Sequence, residues 1–182
     1  MTRALIVVDI QNDYFPGGAN PLEGPEEAAG QARRLLDAFR SSGEPVVHLQ
    51  HVWDEPDALF MRPGTAGVEI HPLVAPERGE PVLQKAHPNG FRDTELERTL
   101  RGLGVDEVVV CGMMTSMCVD ATVRAAVDLG FDTSVAHDAC ATCDLGFGGR
   151  TVPAADVHAA FLAALADGYA RVAAADELAL RE

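Results

Sequence analysis

The sequence predicts an α/β protein built on a parallel sheet, on three observations. Apolar runs rich in β-branched residues alternate with segments of helical period. Glycines fall where the helices should stop, at Gly43 and Gly104. Three residues of reactive type, Asp9, Lys85 and Cys118, stand at or just past the ends of apolar runs. In an open parallel sheet the carboxyl edge is where ligands bind, so residues this far apart in the chain can meet there.

Taken in order, Ala4 to Val8 reads as a strand and Ala28 to Phe39 as a helix with Ala28, Ala32, Leu35, Leu36 and Phe39 on one stripe. Val46 to Val52 is the next strand, and the apolar run ending at Lys85 another. Thr94-Glu95-Leu96-Glu97 has capping-box spacing and predicts a short helix with Leu96, Leu100 and Leu103 facing inward. Val105 to Cys111 is the central strand and Cys118 to Leu129 a helix. Phe131 to Ala136 is a strand, Pro153 sits in a tolerated first helical turn, and Val157, Ala160, Phe161, Ala164 and Leu165 form an apolar stripe. A last strand falls near Tyr169 to Ala173. This alternation implies right-handed βαβ units. His51 to Pro81 and Cys140 to Pro153 lack periodicity and are long enough to be functional loops.

The 182 residues fit one domain, 1–182, and 47% hydrophobic content suffices for a real core. With 28 acidic against 14 basic residues, the formal charge of −14 opposes nucleic-acid phosphates and anionic membranes. The chain enters its first strand without a basic leader and apolar h-region, and no apolar run reaches spanning length. Cys111, Cys118, Cys140 and Cys143 are too irregularly placed for a secreted disulfide framework, so a cytoplasmic location is expected.

Cys118 falls in a predicted first helical turn, where free N–H groups and the helix dipole favour a thiolate. Asp9, losing solvation at the end of a buried strand, is suited to take the thiol proton and return it to a leaving amine. Lys85 supplies compensating positive charge. Singly, each has a plain alternative: an inert core thiol, a turn-capping aspartate, a surface lysine. Together at strand ends they predict a cysteine-based hydrolytic site.

The segments Ile6-Val7-Val8-Asp9-Ile10-Gln11-Asn12-Asp13-Tyr14-Phe15, Lys85 followed by Phe91, Gly112 to Val119, and Val135-Ala136-His137-Asp138-Ala139 together resemble the isochorismatase-like cysteine hydrolases. The resemblance implies a three-layer α/β/α domain with a six-stranded, mainly parallel, Rossmann-like sheet, and homo-oligomers of two or more chains. It implies the triad Asp9, Lys85 and Cys118, a cis peptide between Met113 and Met114, and an oxyanion hole from the N–H groups of Met114 and Cys118. Isochorismatases that cleave a vinyl ether lack the cysteine, so Cys118 favours a small amide, lactam or carbamoyl substrate, with no cofactor. Nicotinamidases of the family bind a metal through Asp-x-His, where this chain reads His51-Val52-Trp53-Asp54. No metal site is therefore expected, nicotinamide is disfavoured, and His48, His51 and His71 are left to packing, solvent or substrate. The substrate pocket is expected to be lined by Phe15, Trp53, Phe60, His87, Asn89, Phe91, Met113 and Met117. The negative overall field mildly favours a cationic amide.

Two features point elsewhere. Cys140-Ala141-Thr142-Cys143 has redox spacing, so a thiol–disulfide protein is the competing reading, but it follows a fifth strand rather than opening an early helix. Gly146 to Arg150 lacks phosphate-loop spacing and reads as a flexible turn, with Arg150 a candidate for substrate or assembly contacts. A non-catalytic binding protein on the same scaffold would be expected to lose one triad member.

Overall fold

The computed structural model describes residues 2–180. Six strands, β1 (Thr2–Val8), β2 (Val46–His51), β3 (Val82–Lys85), β4 (Val105–Met113), β5 (Asp132–Ala141) and β8 (Arg171–Ala173), form one sheet in the order β3-β2-β1-β4-β5-β8. Every pairing in it is parallel. The chain winds outward from β1 to β3, then returns across β1 to β4, so the strand order reverses between β1 and β4. That reversal opens a crevice at the carboxyl ends of these two strands.

Alternation along the strands divides the core. Leu5 and Val7 of β1 and Val109 of β4 face helix α1 (Pro25–Ser42) and the short α5 (Ala175–Ala179). Ala4, Ile6 and Val8 face the opposite layer of α2 (Leu96–Gly102), α3 (Asp120–Asp128) and α4 (Ala154–Gly168). The result is the three-layer arrangement expected from the sequence. Helix α1 buries the predicted stripe and stops at Gly43, whose φ of 69° is the left-handed turn that glycine makes without strain. Among the described residues no helix is long and apolar enough to cross a membrane.

Several elements differ from the sequence expectation. Leu103 is 46% exposed, because α2 ends at Gly102 and turns out before a third inward position is reached. Thr94 does not cap through Glu97: its hydroxyl accepts from the Leu96 N–H at 3.2 Å and donates to the Gly90 carbonyl at 2.6 Å. Pro153 precedes α4 as its cap residue. The buried stripe of α4 runs through Ala154, Val157, Leu162 and Leu165, leaving Ala160 and Ala164 exposed. Small residues score as apolar but lose little when left in water. Strand β5 runs past Ala136, and its register with β4 jumps from Val110↔Val135 to Gly112↔Cys140. Within this bulge Asp138 accepts from the Ala175 N–H at 2.7 Å and starts α5, an element without a sequence signal. Gly146 to Arg150 belongs to a hairpin, β6 (Leu145–Phe147) and β7 (Arg150–Val152), turned by Gly148 and Gly149 at positive φ.

The long segment after β2 is held by the three residues that follow Ile10. Gln11 donates to the carbonyls of His51 (2.9 Å) and Val68 (2.7 Å), and accepts from the His51 N–H (2.8 Å). Asn12 donates to the Ala66 carbonyl. Buried Asp13 accepts from the N–H groups of Met61 (2.6 Å) and Ala19 (3.0 Å). Its carboxylate lies where a side chain on Gly67 would stand: a Cβ there would come within 2.0 Å of Asp13 Oδ1, so only glycine fits.

Two outcomes are expected. Asp13→Ala, which strands two N–H donors, should lower unfolding stability by about 1.5–3 kcal/mol in urea titration. The second concerns Glu80, which pairs with Arg40 at 2.7 Å and with buried His48 at 2.9 Å. Burial holds the His48 imidazole below its ordinary 6.5 despite Glu80. Glu80 itself is held at about 2, its partners outweighing the opposing effect of burial. Both values are depressed in the fold, so stability is lost as pH falls, first below 6.5 through His48, then between 4.5 and about 2 through Glu80. The urea midpoint should drop from about pH 7 to about pH 5, and His48→Asn, which cannot charge, should make that part of the profile shallower, the rest of the slope belonging to His51, His71 and His158, whose pKa values burial also lowers.

Candidate active site

Asp9 follows β1 directly, is fully buried and has φ +48°. Its N–H donates to the Leu49 carbonyl at 3.1 Å. Left-handed backbone is uncommon for a residue with a side chain and turns this carboxylate out of the strand's alternation. Across the crevice Gly112 pairs with Val8, and a Cβ there would lie 2.0 Å from the Val8 carbonyl oxygen. The close approach that glycine permits sets β4, and the turn after it, beside Asp9.

Lys85 ends β3 in register with His51 of β2. Because β3 is two strands from β1, its side chain must pass over the end of β2 to reach Asp9, and it does so in a fully buried position. Its Nζ lies 2.7 Å from Asp9 Oδ2, 3.2 Å from Cys118 Sγ, 3.0 Å from the His87 carbonyl oxygen and 3.2 Å from His51 Nδ1. Cys118 sits in a π-helical turn, Thr115–Val119, that leads into α3. Thr115 bonded to His158 (2.9 Å) and Ser116 bonded to Thr142 (2.8 Å) pin this turn from behind. The Met113–Met114 peptide that precedes it is cis.

The electrostatics follow from burial. Desolvation works against the Lys85 ammonium, but the Asp9 carboxylate and the Cys118 sulfur outweigh it and its pKa is raised. For Cys118, burial and then Asp9 push the thiol up, with Lys85 only partly opposing them. This departs from the expectation of a thiolate favoured by a helix start: the turn is wide and buried, and a carboxylate stands beside it. That direction favours the protonated thiol over the thiolate. Asp9 Oδ1 accepts no hydrogen bond among the described residues.

A cavity of about 230 Å³ opens over this cluster. Tyr14, His51, Trp53 and Phe60 line one part, Ala86, Pro88, Met114 and Met117 another, with Cys118 at its base. Of the residues expected to line the pocket, Trp53, Phe60 and Met117 do. The other five lie elsewhere. Phe15 stacks on His71 at 3.7 Å, because the 3-10 turn Asn12–Tyr14 turns Tyr14 inward in its place. Met113 is fully buried in the α1 layer as the last residue of β4. Asn89 accepts from the Phe91 N–H at 2.9 Å, closing a local turn, and Phe91 packs on Phe131 in the other layer. His87 contributes its carbonyl to Lys85 while its ring faces Asp93 at 3.4 Å. Tyr14 and His51 were the residues missed. A tyrosine within the Asn12–Phe15 stretch and a histidine at a strand end were the available signals, but only the turn geometry selects between neighbours.

Cys140 is buried with its thiol directed at the Ala136 carbonyl, and Cys143 lies 3.8 Å from the Met114 sulfur. Burial pushes Cys140 up to about 12 and raises Cys143 as well. A redox dithiol needs the opposite shift. Asp9, His51 and Cys118 offer ligand atoms within 4.8 Å of one another, a spacing suited to a cation. The Lys85 ammonium already touches all three, so a metal could enter only by displacing it, and the residues do not fit a metal centre.

The isochorismatase domain model matches residues 3–177. The isochorismatase family protein YddQ of Bacillus subtilis is 52% identical over 172 residues, covering 94% of this chain and 96% of that protein. A streptothricin hydrolase of Streptomyces noursei is 38% identical over 177 residues, 97% of this chain and 60% of its own. The crystal structure of an isochorismatase hydrolase from Oleispira antarctica superposes with a TM-score of 0.94 at 52% identity, covering 98% and 96% of the two chains. The fold, the crevice at the strand reversal and these likenesses agree: this chain belongs to the isochorismatase family and is a hydrolase of that family.

Proposed function

We propose that this protein is a metal-independent cysteine amidohydrolase acting on the C–N bond of a small amide, lactam or carbamoyl compound. The observation that carries the reading is the contact of one buried ammonium with both Asp9 (2.7 Å) and Cys118 (3.2 Å) at the base of a cavity. The likeness to a streptothricin hydrolase supports the amide class.

Cys118 is the nucleophile and Asp9 the base. As Sγ forms its bond to the substrate carbonyl carbon, Asp9 takes the thiol proton, and the carbonyl oxygen becomes an oxyanion. The N–H groups of Met114 and Cys118 receive that oxygen, and no hydrogen bond of the Met114 N–H within the described residues competes for it. Collapse breaks the C–N bond while Asp9 returns the proton to the departing nitrogen. Water, deprotonated by Asp9, then attacks the thioester carbon. The acid leaves and the proton returns to Cys118. Lys85 stays protonated throughout and stabilises charge as it passes between carboxylate and sulfur.

Cys118→Ala should abolish turnover with the fold intact by circular dichroism, and Asp9→Asn should slow acylation by about 10²-fold or more in single-turnover mass measurements. Turnover that survives Cys118→Ala would sink the mechanism. Dialysis against a strong chelator should leave kcat/KM unchanged, and a loss restored by added divalent metal would overturn the metal-independent reading.

A further inference from the structure

We propose that His158, which does not touch the reacting atoms, is a positioning residue: its bond to Thr115 fixes the turn that carries Cys118 and so sets the rate at which Cys118 is acylated. This rests on the cysteine-hydrolase reading and adds to that site a residue from helix α4.

The nucleophile rides on a rare support. Thr115–Val119 is a π-helical turn, closed by the Val119 N–H donating to the Met114 carbonyl at 3.1 Å. Both groups that the proposed acylation takes from Cys118, its Sγ and its N–H, move with this turn. Sγ has to stay beside Asp9 and the Lys85 ammonium, the latter 3.2 Å away. The turn starts at Thr115, which is fully buried. Among the described residues the Thr115 hydroxyl has one hydrogen-bond partner, Nδ1 of His158 at 2.9 Å. Without that partner a buried hydroxyl is left unsatisfied, and the turn relieves it by rotating and taking Cys118 along. A displacement of about 1 Å at a reacting atom costs on the order of a hundredfold in rate. Ser116, bonded to Thr142 at 2.8 Å, still holds the next residue, so loosening at Thr115 shifts the turn without unfolding it.

His158 is placed for this task. It stands on α4, which packs against the turn, and its ring is half-buried. Burial and then the charge of His137 lower its pKa, with the His137 backbone opposing, so at neutral pH the ring is uncharged and brings no second cation toward Lys85. It borders a cavity of about 170 Å³ between the end of β5 and the start of α4, which Cys140, Thr142 and Ala155 also line, so a differently shaped side chain has room there.

The test uses p-nitrophenyl acetate, an activated ester whose leaving group needs no matching site. Cys118 Sγ bonds to the acetyl carbon, Asp9 takes the thiol proton, the C–O bond breaks and p-nitrophenolate leaves. The acetyl mass on Cys118 is followed in time over a range of ester concentrations, with Cys118→Ala as background. His158→Leu and Thr115→Val, the latter removing only the hydroxyl, should each lower the maximal acetylation rate by about tenfold or more. The half-saturating ester concentration should stay within about twofold, because Tyr14, Trp53 and Phe60 of the cavity wall come from other segments. The double variant should be no slower than the slower single one, since both changes break the same bond. His158→Asn, which keeps a hydrogen-bonding group where Nδ1 stands, should recover most of the rate, whereas a residue that merely fills space would be replaced by Leu at least as well as by Asn. Should His158→Leu fail to fold by circular dichroism, Thr115→Val carries the same expectation. An unchanged rate in Thr115→Val, losses that multiply in the double variant, or a raised half-saturating concentration at unchanged maximal rate would overturn the positioning role and leave the nucleophile in place. No Cys118-dependent acetyl mass in the unaltered protein would overturn the cysteine-hydrolase reading, and the positioning role with it.

Discussion

The Lys85 ammonium, buried at the carboxyl edge of the sheet, is the charge on which the rest of the site depends. Asp9 is fully buried, and a carboxylate there without a cation beside it would be held at a large desolvation cost. Satisfying it from β3 requires a side chain long enough to cross β2, a strand end that lets it pass, and acceptors for its remaining hydrogens. The His87 carbonyl at 3.0 Å meets the last need, while Cys118 Sγ and His51 Nδ1, both at 3.2 Å, compete for the third hydrogen. The same ammonium lies within 3.2 Å of atoms of Asp9, His51 and Cys118, the three residues whose ligand atoms lie within 4.8 Å of one another.

Around that centre the chain uses backbone geometry rather than additional charges. Gly112 allows β4 to close on β1, Asp9 bends out of its strand with a positive φ, and the π-helical turn brings Cys118 over both. The Gln11-Asn12-Asp13 run then fastens the 51–81 segment, which delivers Trp53 and Phe60 to the cavity. One short stretch after β1 therefore supplies the candidate base, the clamp for a distant loop, and a wall residue in Tyr14.

The balance of burial and charge sets how the cluster can react. Burial and a neighbouring carboxylate push the Cys118 thiol up and favour its protonated form, so the proposed attack requires a proton transfer. Cys140 and Cys143, although spaced like a redox pair, are held in the protonated form by burial in the same region.

By itself the sequence marked the six strands, the long helices and the placing of Asp9, Lys85 and Cys118 at strand ends, because apolar runs, period-3.6 stripes and residues at strand ends are local properties of the chain. The capping by Thr94, the stripe of α4 and the extension of β5 were misread where a local signal competed with packing. The tertiary structure alone decided which side chains face the cavity. Tyr14 rather than Phe15 points inward because a 3-10 turn rotates the chain there, and Asn89 and Phe91 turn to local and core contacts. It also decided the surroundings of His51, whose Nδ1 meets a lysine 34 residues away that reaches across a strand. Orientation and charge state are set by neighbours in space, and a sequence pattern records only neighbours along the chain.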